Sequence, residues 1–367
     1  MLTHDSLAAL ERRLHDRQVL SVYIDGATTD PAAHRAWRIR LDQEIELARA
    51  RVAGDATGDS ASFEQCVSLL AAELANVTGA LGSGGWMAFI TTDGIAYAGP
   101  LPIAVRTRVA WGSGIRITPC LRSLKHATPV VIALADAGEV QLYRYWNDRL
   151  ERLSTVRAHI TGNGHEHMGN PPGQGFHPGV RGATGHDRAQ RGADEATARM
   201  LVAATEQSVR FAKTDGWILV AGIPKVRAHA AKLAGELAPG HVLELDSVDV
   251  HATEASLIET ARTGASAIRN ANDGVRIAAL IDRVGPHARA TLGPATTRRA
   301  LELGRVRELF ITQGYLDASE ADAEFAVARA FQLAASVDAI SGSAAARLDE
   351  YGGIGARLKF ARTEAAA

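Results

Sequence analysis

"PVVIALADAGEVQLYRYW", residues 129–146, decides the reading of the fold. It is an apolar run, then a turn around Ala137-Gly138, then an alternating strand with Val140, Leu142 and Tyr143 near its middle. Working outward, "LERLSTVRAHI" (150–160) is again strand-like. The spacing then predicts a helix over 188–213, a strand in "GWILVAG" (216–222), a helix over 224–237 and a strand in "HVLELD" (241–246). Strands interleaved with helices make an α/β layer with a mostly parallel or mixed sheet.

Toward the amino terminus, "VLSVYIDG" (19–26) alternates and ends in an Asp-Gly turn, the signature of a strand. Trp37, Leu41, Ile45, Ala48 and Val52 recur at spacings of three and four, which predicts an amphipathic helix entered at Pro31. A second helix is expected from Ser62 to Leu81, and two strands joined at Asp93-Gly94 in "GWMAFITTDGIAYAG" (85–99). Toward the carboxyl terminus a helix is expected to end in the polar stretch "RNANDG" (269–274). Beyond it come helix then strand in "TTRRALELGRVRELFIT" (296–312), a helix over 319–335, a strand in "SVDAIS" (336–341) and a glycine-rich turn into a strand in "GGIGARLKF" (352–360). The expected organisation is three α/β domains: 1–125, 126–272 carrying a long loop at 161–185, and 273–367.

The 367 residues give room for two or three domains of about 100–200 residues. With 46% hydrophobic and 22% charged residues the composition is that of a globular chain, which argues against a disordered one. Apolar runs fall short of the ~20 residues a bilayer span needs, and the charged start "MLTHDSLAALERRLHDR" lacks a signal-peptide core. The expectation is a cytoplasmic protein that does not engage membranes. Cys66 and Cys120 share no metal-type spacing, so neither a disulfide framework nor a zinc site is predicted. A net charge of −1 provides no global pull on nucleic acid, leaving local patches to make any RNA contact.

The stretch "NPPGQGFHPGVRG" (170–182) is too rich in Gly and Pro for helix or strand. His159, His165, His167, His177 and His186 cluster around it, but their spacing matches neither HExxH nor a Cys/His finger. No Gly-Lys-Ser/Thr ends it, and it is too long for a dinucleotide turn, which argues against nucleotide binding. No GxSxG elbow marks a nucleophile. Asp136, Asp246 and Asp249 are the candidate carboxylates for a two-metal nuclease. Arg157, Arg181, Arg188 and Arg191 outnumber Glu166 and Asp187, and Phe176 and the histidines can stack on bases. The residues alone leave two readings open: an RNA-facing basic finger, or a surface insertion.

Along nearly its full length the chain resembles the class-1 translation release factors of archaea and eukaryotes and their relative pelota. The matching pieces, in order, are "LSVYIDG" and "GIRITPCLRSL", then "PVVIALADAGEVQLYRYW" with its Gly/Gln loop, then "ALELGRVRELFIT" and "GGIGARLKF". The resemblance implies an RNase H-like middle domain and an L7Ae-like αβα third domain. In the family a Gly-Gly-Gln tip assists hydrolysis of peptidyl-tRNA, and the aligned tip here is Pro172-Gly173-Gln174. Proline locks φ near −65° where glycine is unrestricted, so ester hydrolysis is not expected, and Gln174 would be the catalytic residue if there were one. The family's Asn-Ile-Lys-Ser codon motif is absent between Asp25 and Val52.

Bacterial chains of this kind look like the Balon family of ribosome hibernation factors. That resemblance implies occupation of the A site of idle bacterial ribosomes by a non-catalytic protein, monomeric off the ribosome, whose middle-domain loop reaches the peptidyl-transferase centre. It also implies association with elongation factor Tu or a related translational GTPase, and no cofactor or metal. The expected rRNA contacts are Pro172, Gly173, Gln174, Gly175, Phe176, His177 and Arg181, with Arg188 at the loop's base. The alternative is a peptidyl-tRNA hydrolase acting on stalled ribosomes.

Overall fold

The computed structural model describes residues 3–26, 36–54, 59–75, 84–126, 128–146, 149–159, 185–213, 216–246, 248, 252–285 and 289–360, and of 185–189 the backbone alone. The first run of elements is α1 (His4–Leu14), β1 (Gln18–Asp25), α2 (Ala36–Gly54), α3 (Ser60–Ala75), β2 (Gly85–Thr91), β3 (Gly94–Leu101), β4 (Arg108–Ser113) and α4 (Leu121–His126), with a 3₁₀ turn at Thr118–Cys120. There follow β5 (Val130–Ala135), β6 (Glu139–Trp146), β7 (Arg149–Arg157), α5 (Gly185–Ala212), β8 (Trp217–Gly222), α6 (Pro224–Leu237), β9 (Val242–Glu244) and α7 (Glu254–Ile281). The last run is β10 (Ala290–Leu292), α8 (Pro294–Glu302), β11 (Val306–Thr312), α9 (Gln313–Ala318), α10 (Glu320–Gln332), β12 (Ser336–Ile340), α11 (Gly342–Asp349) and β13 (Ile354–Leu358). The fold is α/β throughout. It forms two compact units, Met1–Thr128 with Arg269–Ala367, and Pro129–Ile268.

The first unit holds two sheets. One is antiparallel, in the order β3-β2-β1-β4. Both its faces are covered, which is why β1 is buried at six consecutive positions despite the period-2 geometry of a strand. Leu20, Val22 and Ile24 join Trp86, Ala88 and Ile90 beneath α2 and α3. Val19 and Tyr23 join Met87 and Phe89 in a core shared with α1 and with Ala323, Val327 and Phe331 of α10. Each large apolar side chain buried there contributes about 1.5–3 kcal/mol. Helix α1 starts on a capping box in which Thr3 and Ser6 bond each other's backbone amides.

The second sheet runs β10-β13-β11-β12, with β11 and β12 parallel. Leu309 and Ile311 face the α10 core, whereas Phe310 faces Ile277, Leu280, Ala344 and Leu348 of α7 and α11, giving an αβα layering. Here one expectation needs correction. The helix predicted to end at 269–274 continues to Ile281, because Ile277 and Leu280 supply a further fully buried stripe. The polar stretch is no terminator. Its Asp273 is fully buried and held by Lys125 of α4, whose Nζ lies 2.6 Å from both carboxylate oxygens.

The second unit is one five-stranded sheet in the order β7-β6-β5-β8-β9, with β6 alone antiparallel to the rest. This is the RNase H-like arrangement. Val131, Ala133 and Ala135 of β5 pack beneath α5 and α6, and Val130, Ile132 and Leu134 pack toward α7. A strand covered on both faces reads as the continuous apolar run seen at 130–135. At the carboxyl ends of β5 and β8 the backbones close up. Gly222 has φ +114, and a Cβ there would stand 2.0 Å from the Ala135 carbonyl oxygen, so only glycine fits.

Candidate functional site

The sequence places the candidate contacts between β7 and α5. Pro172, Gly173, Gln174, Gly175, Phe176, His177 and Arg181 lie outside the described residues, as do His165, His167 and most of the predicted loop 161–185. The backbone of Arg188 is in the first turns of α5. What the structure does place is the pair of stems that bracket this stretch. After β7 the Ala158 amide donates to the Gly138 carbonyl at 2.9 Å, and the Arg157 guanidinium pairs with Glu139 at 3.2 Å. On α5 the Thr197 hydroxyl donates to the Ala137 carbonyl at 3.1 Å. Both stems are therefore tied to one tight turn, Asp136–Gly138. Hydrogen bonds from Gln141 and Arg157 hold the Glu139 carboxyl below its usual range, so Glu139 remains ionised as the partner of Arg157.

The carboxylates read as nuclease candidates are not assembled. Asp136 turns onto the Ala137 amide at 2.5 Å, Asp246 is exposed and paired with Arg227 at 3.1 Å, and Asp249 is outside the described residues. Among the described residues no group of three or more His, Cys, Asp or Glu could hold a metal ion. Both cysteines are buried free thiols, raised by burial to about 11 for Cys66 and about 12 for Cys120. They are poor nucleophiles at neutral pH. No helix among the described residues is long and apolar enough to cross a membrane.

A second site has no mark in the sequence. In the first unit, β4 is the last strand of its sheet among the described residues, and a cleft of about 440 Å³ runs along its open side. The Gly114 amide donates to the Arg17 carbonyl at 2.9 Å, which sets the phase of the β1–β4 ladder. Bonded and non-bonded pairs alternate in such a ladder. Arg108, Ala110 and Gly112 thus turn their amides to β1, and Val109 and Trp111 turn theirs into the cleft. Arg51 of α2 stands on one face of this edge. On the other, the Arg116 guanidinium lies over Gly112, 3.6 Å from where a Cβ would be.

The acidic residues of the cleft are already engaged. Glu320 pairs with Arg108. Glu324 accepts from the Ile117 amide and the Thr118 hydroxyl, each at 2.7 Å. Burial raises the Glu324 carboxyl, and those hydrogen bonds oppose the shift only in part. Arg51 and Arg116 have no ion-pair partner within 4.0 Å among the described residues. The residues come from positions 51, 108–119 and 320–324, so no local sequence signal could have joined them.

No protein-family model matches the sequence, and no curated protein matches it. Solved structures are similar to it at low identity. One is an archaeal translation termination factor, aRF1, at 15% identity over 98% of this chain and 99% of that chain, with a TM-score of 0.26. Another is the Pelota protein of Archaeoglobus fulgidus, at 12% identity over 98% and 92%, with a TM-score of 0.38. A third is Dom34 of S. cerevisiae, a translation termination-like factor, at 9% identity over 76% and 81%, with a TM-score of 0.43.

Proposed function

We propose that this protein is a translation factor that binds the bacterial ribosome and occupies the A site of idle ribosomes, as the Balon hibernation factors do, without catalysing peptide release. The observation that carries this reading is the Pro172-Gly173-Gln174 sequence, on the segment between β7 and α5 of an RNase H-like unit. The release-factor position is kept and the Gly-Gln pair is kept, but the first glycine is replaced. A catalytic donor must be preorganised at the position where the oxyanion forms, and a proline ring at that point restricts the backbone that would place it. Occupation needs shape and charge there, which Phe176, His177, Arg181 and Arg188 supply. Elongation factor Tu, or a related translational GTPase, is the proposed partner.

The retained Gly173-Gln174 pair is what favours the second reading, a peptidyl-tRNA hydrolase. Two measurements separate them. On the first reading the chain cosediments with ribosomes from stationary cells, and saturating protein releases no peptide from ribosomes loaded with peptidyl-tRNA. Release that Gln174→Ala abolishes would establish the hydrolase instead. Failure to cosediment under any growth condition would dispose of both.

A further inference from the structure

The open side of β4 has the features of a strand-binding groove. Exposed edges are ready templates for another chain, and proteins generally cover, charge or shorten them. Here the Val109 and Trp111 amides and carbonyls face a cleft walled by Ala48, Arg51 and Val52 of α2 on one side and by α10 on the other. The charge at the groove is lopsided: Glu320 is taken up by Arg108 and Glu324 by Ile117 and Thr118, with Arg116 also acting on its carboxyl, whereas neither Arg51 nor Arg116 makes an ion pair within 4.0 Å among the described residues.

We propose that β4 accepts an extended acidic segment of a partner protein as a fifth strand of the β3-β2-β1-β4 sheet. Main-chain hydrogen bonds to Val109 and Trp111 supply affinity, and alternate side chains supply specificity. Successive side chains of an added strand point to opposite faces. One acidic residue then meets Arg51 on the α2 face and its immediate neighbour meets Arg116 on the opposite face. The groove selects two adjacent carboxylates flanked by β-formers, a different requirement from that of an anionic helix, whose matched charges lie three or four residues apart. This inference is independent of the ribosomal reading, since it uses neither residues 160–184 nor any RNA contact.

The test uses the full chain and labelled peptides of the type TVEDVTV and TVKKVTV, read by fluorescence anisotropy. The acidic peptide is expected to bind at least tenfold more tightly than the basic one. The double variant Arg51→Glu/Arg116→Glu, with both residues exposed and the circular dichroism checked for an unchanged fold, is expected to lose at least tenfold. N-methylation stepped along the acidic peptide distinguishes strand addition from simple charge attraction: alternate positions should abolish binding and the intervening ones should not. Equal binding of the two peptides, no binding of either, or indifference to N-methylation overturns the proposal. So does displacement of the peptide by a ten-nucleotide uridine RNA, which would make the groove an RNA site. Dimerisation of the chain lost in the double variant would likewise overturn it, assigning the groove to a second copy.

Discussion

The contact between Lys125 and Asp273 gives the sharpest prediction. Asp273 has 0% side-chain exposure and Lys125 15%. The ammonium touches both carboxylate oxygens at 2.6 Å, and the Ser341 amide also donates to Asp273, at 3.3 Å. Asp338 lies on the same ammonium at 3.3 Å but has a second partner in Arg276. Lys125→Met therefore strands one carboxylate. Breaking a buried pair in this way costs about 3–5 kcal/mol. Protonation offers Asp273 an escape, at about 1.4 kcal/mol for each pH unit above an unfolded-state value of about 3.9. The loss is then capped near 4 kcal/mol at pH 7, and about 1.5 kcal/mol at pH 5. Burial raises the Asp273 carboxyl even beside Lys125, and without the ammonium the folded state holds a proton that the unfolded state has lost, so stability falls as pH rises and does so more steeply than in the parent. Urea unfolding of the full chain, with hydrogen exchange read in residues 121–126 and 269–281, measures it. Lys125→Met/Asp273→Leu should recover most of the loss. A single variant within 1 kcal/mol of the parent at pH 7, or an equal loss at pH 5 and 7, would show that Asp273 does not depend on Lys125.

Three further outcomes are expected. His4 stacks on Phe331 at 4.6 Å between ring centres, and its Nε2 accepts from the Val337 amide at 3.1 Å, so the ring is neutral and burial lowers its pKa below 6.5. The first unit should lose stability as pH falls below 6.5, and His4→Phe should flatten that slope while costing about 1–3 kcal/mol for the orphaned amide. Matching slopes in parent and variant would contradict this. Glu324 has the opposite sign: its carboxyl is raised from 4.5, so stability falls as pH rises above that value, and in urea titrations Glu324→Gln should reduce the trend to what Glu11 and Asp273, also raised by burial, contribute. Gly222→Ala, with its Cβ against the Ala135 carbonyl and φ at +114, should cost the second unit more than about 1 kcal/mol and lower its melting temperature. An unchanged melt would show that β5 and β8 can part.

The local elements were legible because their signals are local. Asp93-Gly94 marks the β2–β3 hairpin, Gly94 adopting φ +135, and the run 130–135 marks the strand that both helical layers cover. The long reach of α7 was hidden, because "RNANDG" reads as an ending until Lys125, far away in sequence, neutralises Asp273. That α10 completes the core of the first sheet was equally hidden, since Phe331 shares a core with Met87 and Phe89 only through the tertiary fold. For the functional residues the position is mixed. The composition of 170–182 identifies it as the stretch of interest, whereas the stems that hold it, Thr197 on Ala137 and Ala158 on Gly138, depend on strand pairing. The cleft at β4 depends on strand order, and an edge strand has no sequence mark of its own.

A cryo-EM reconstruction of the chain bound to idle bacterial ribosomes tests the proposed A-site occupation. The protein should lie in the A site, with residues 170–182 at the peptidyl-transferase centre and Gln174 contacting rRNA. Density at any other ribosomal site, or an A-site pose with that segment turned away from the peptidyl-transferase centre, would contradict it.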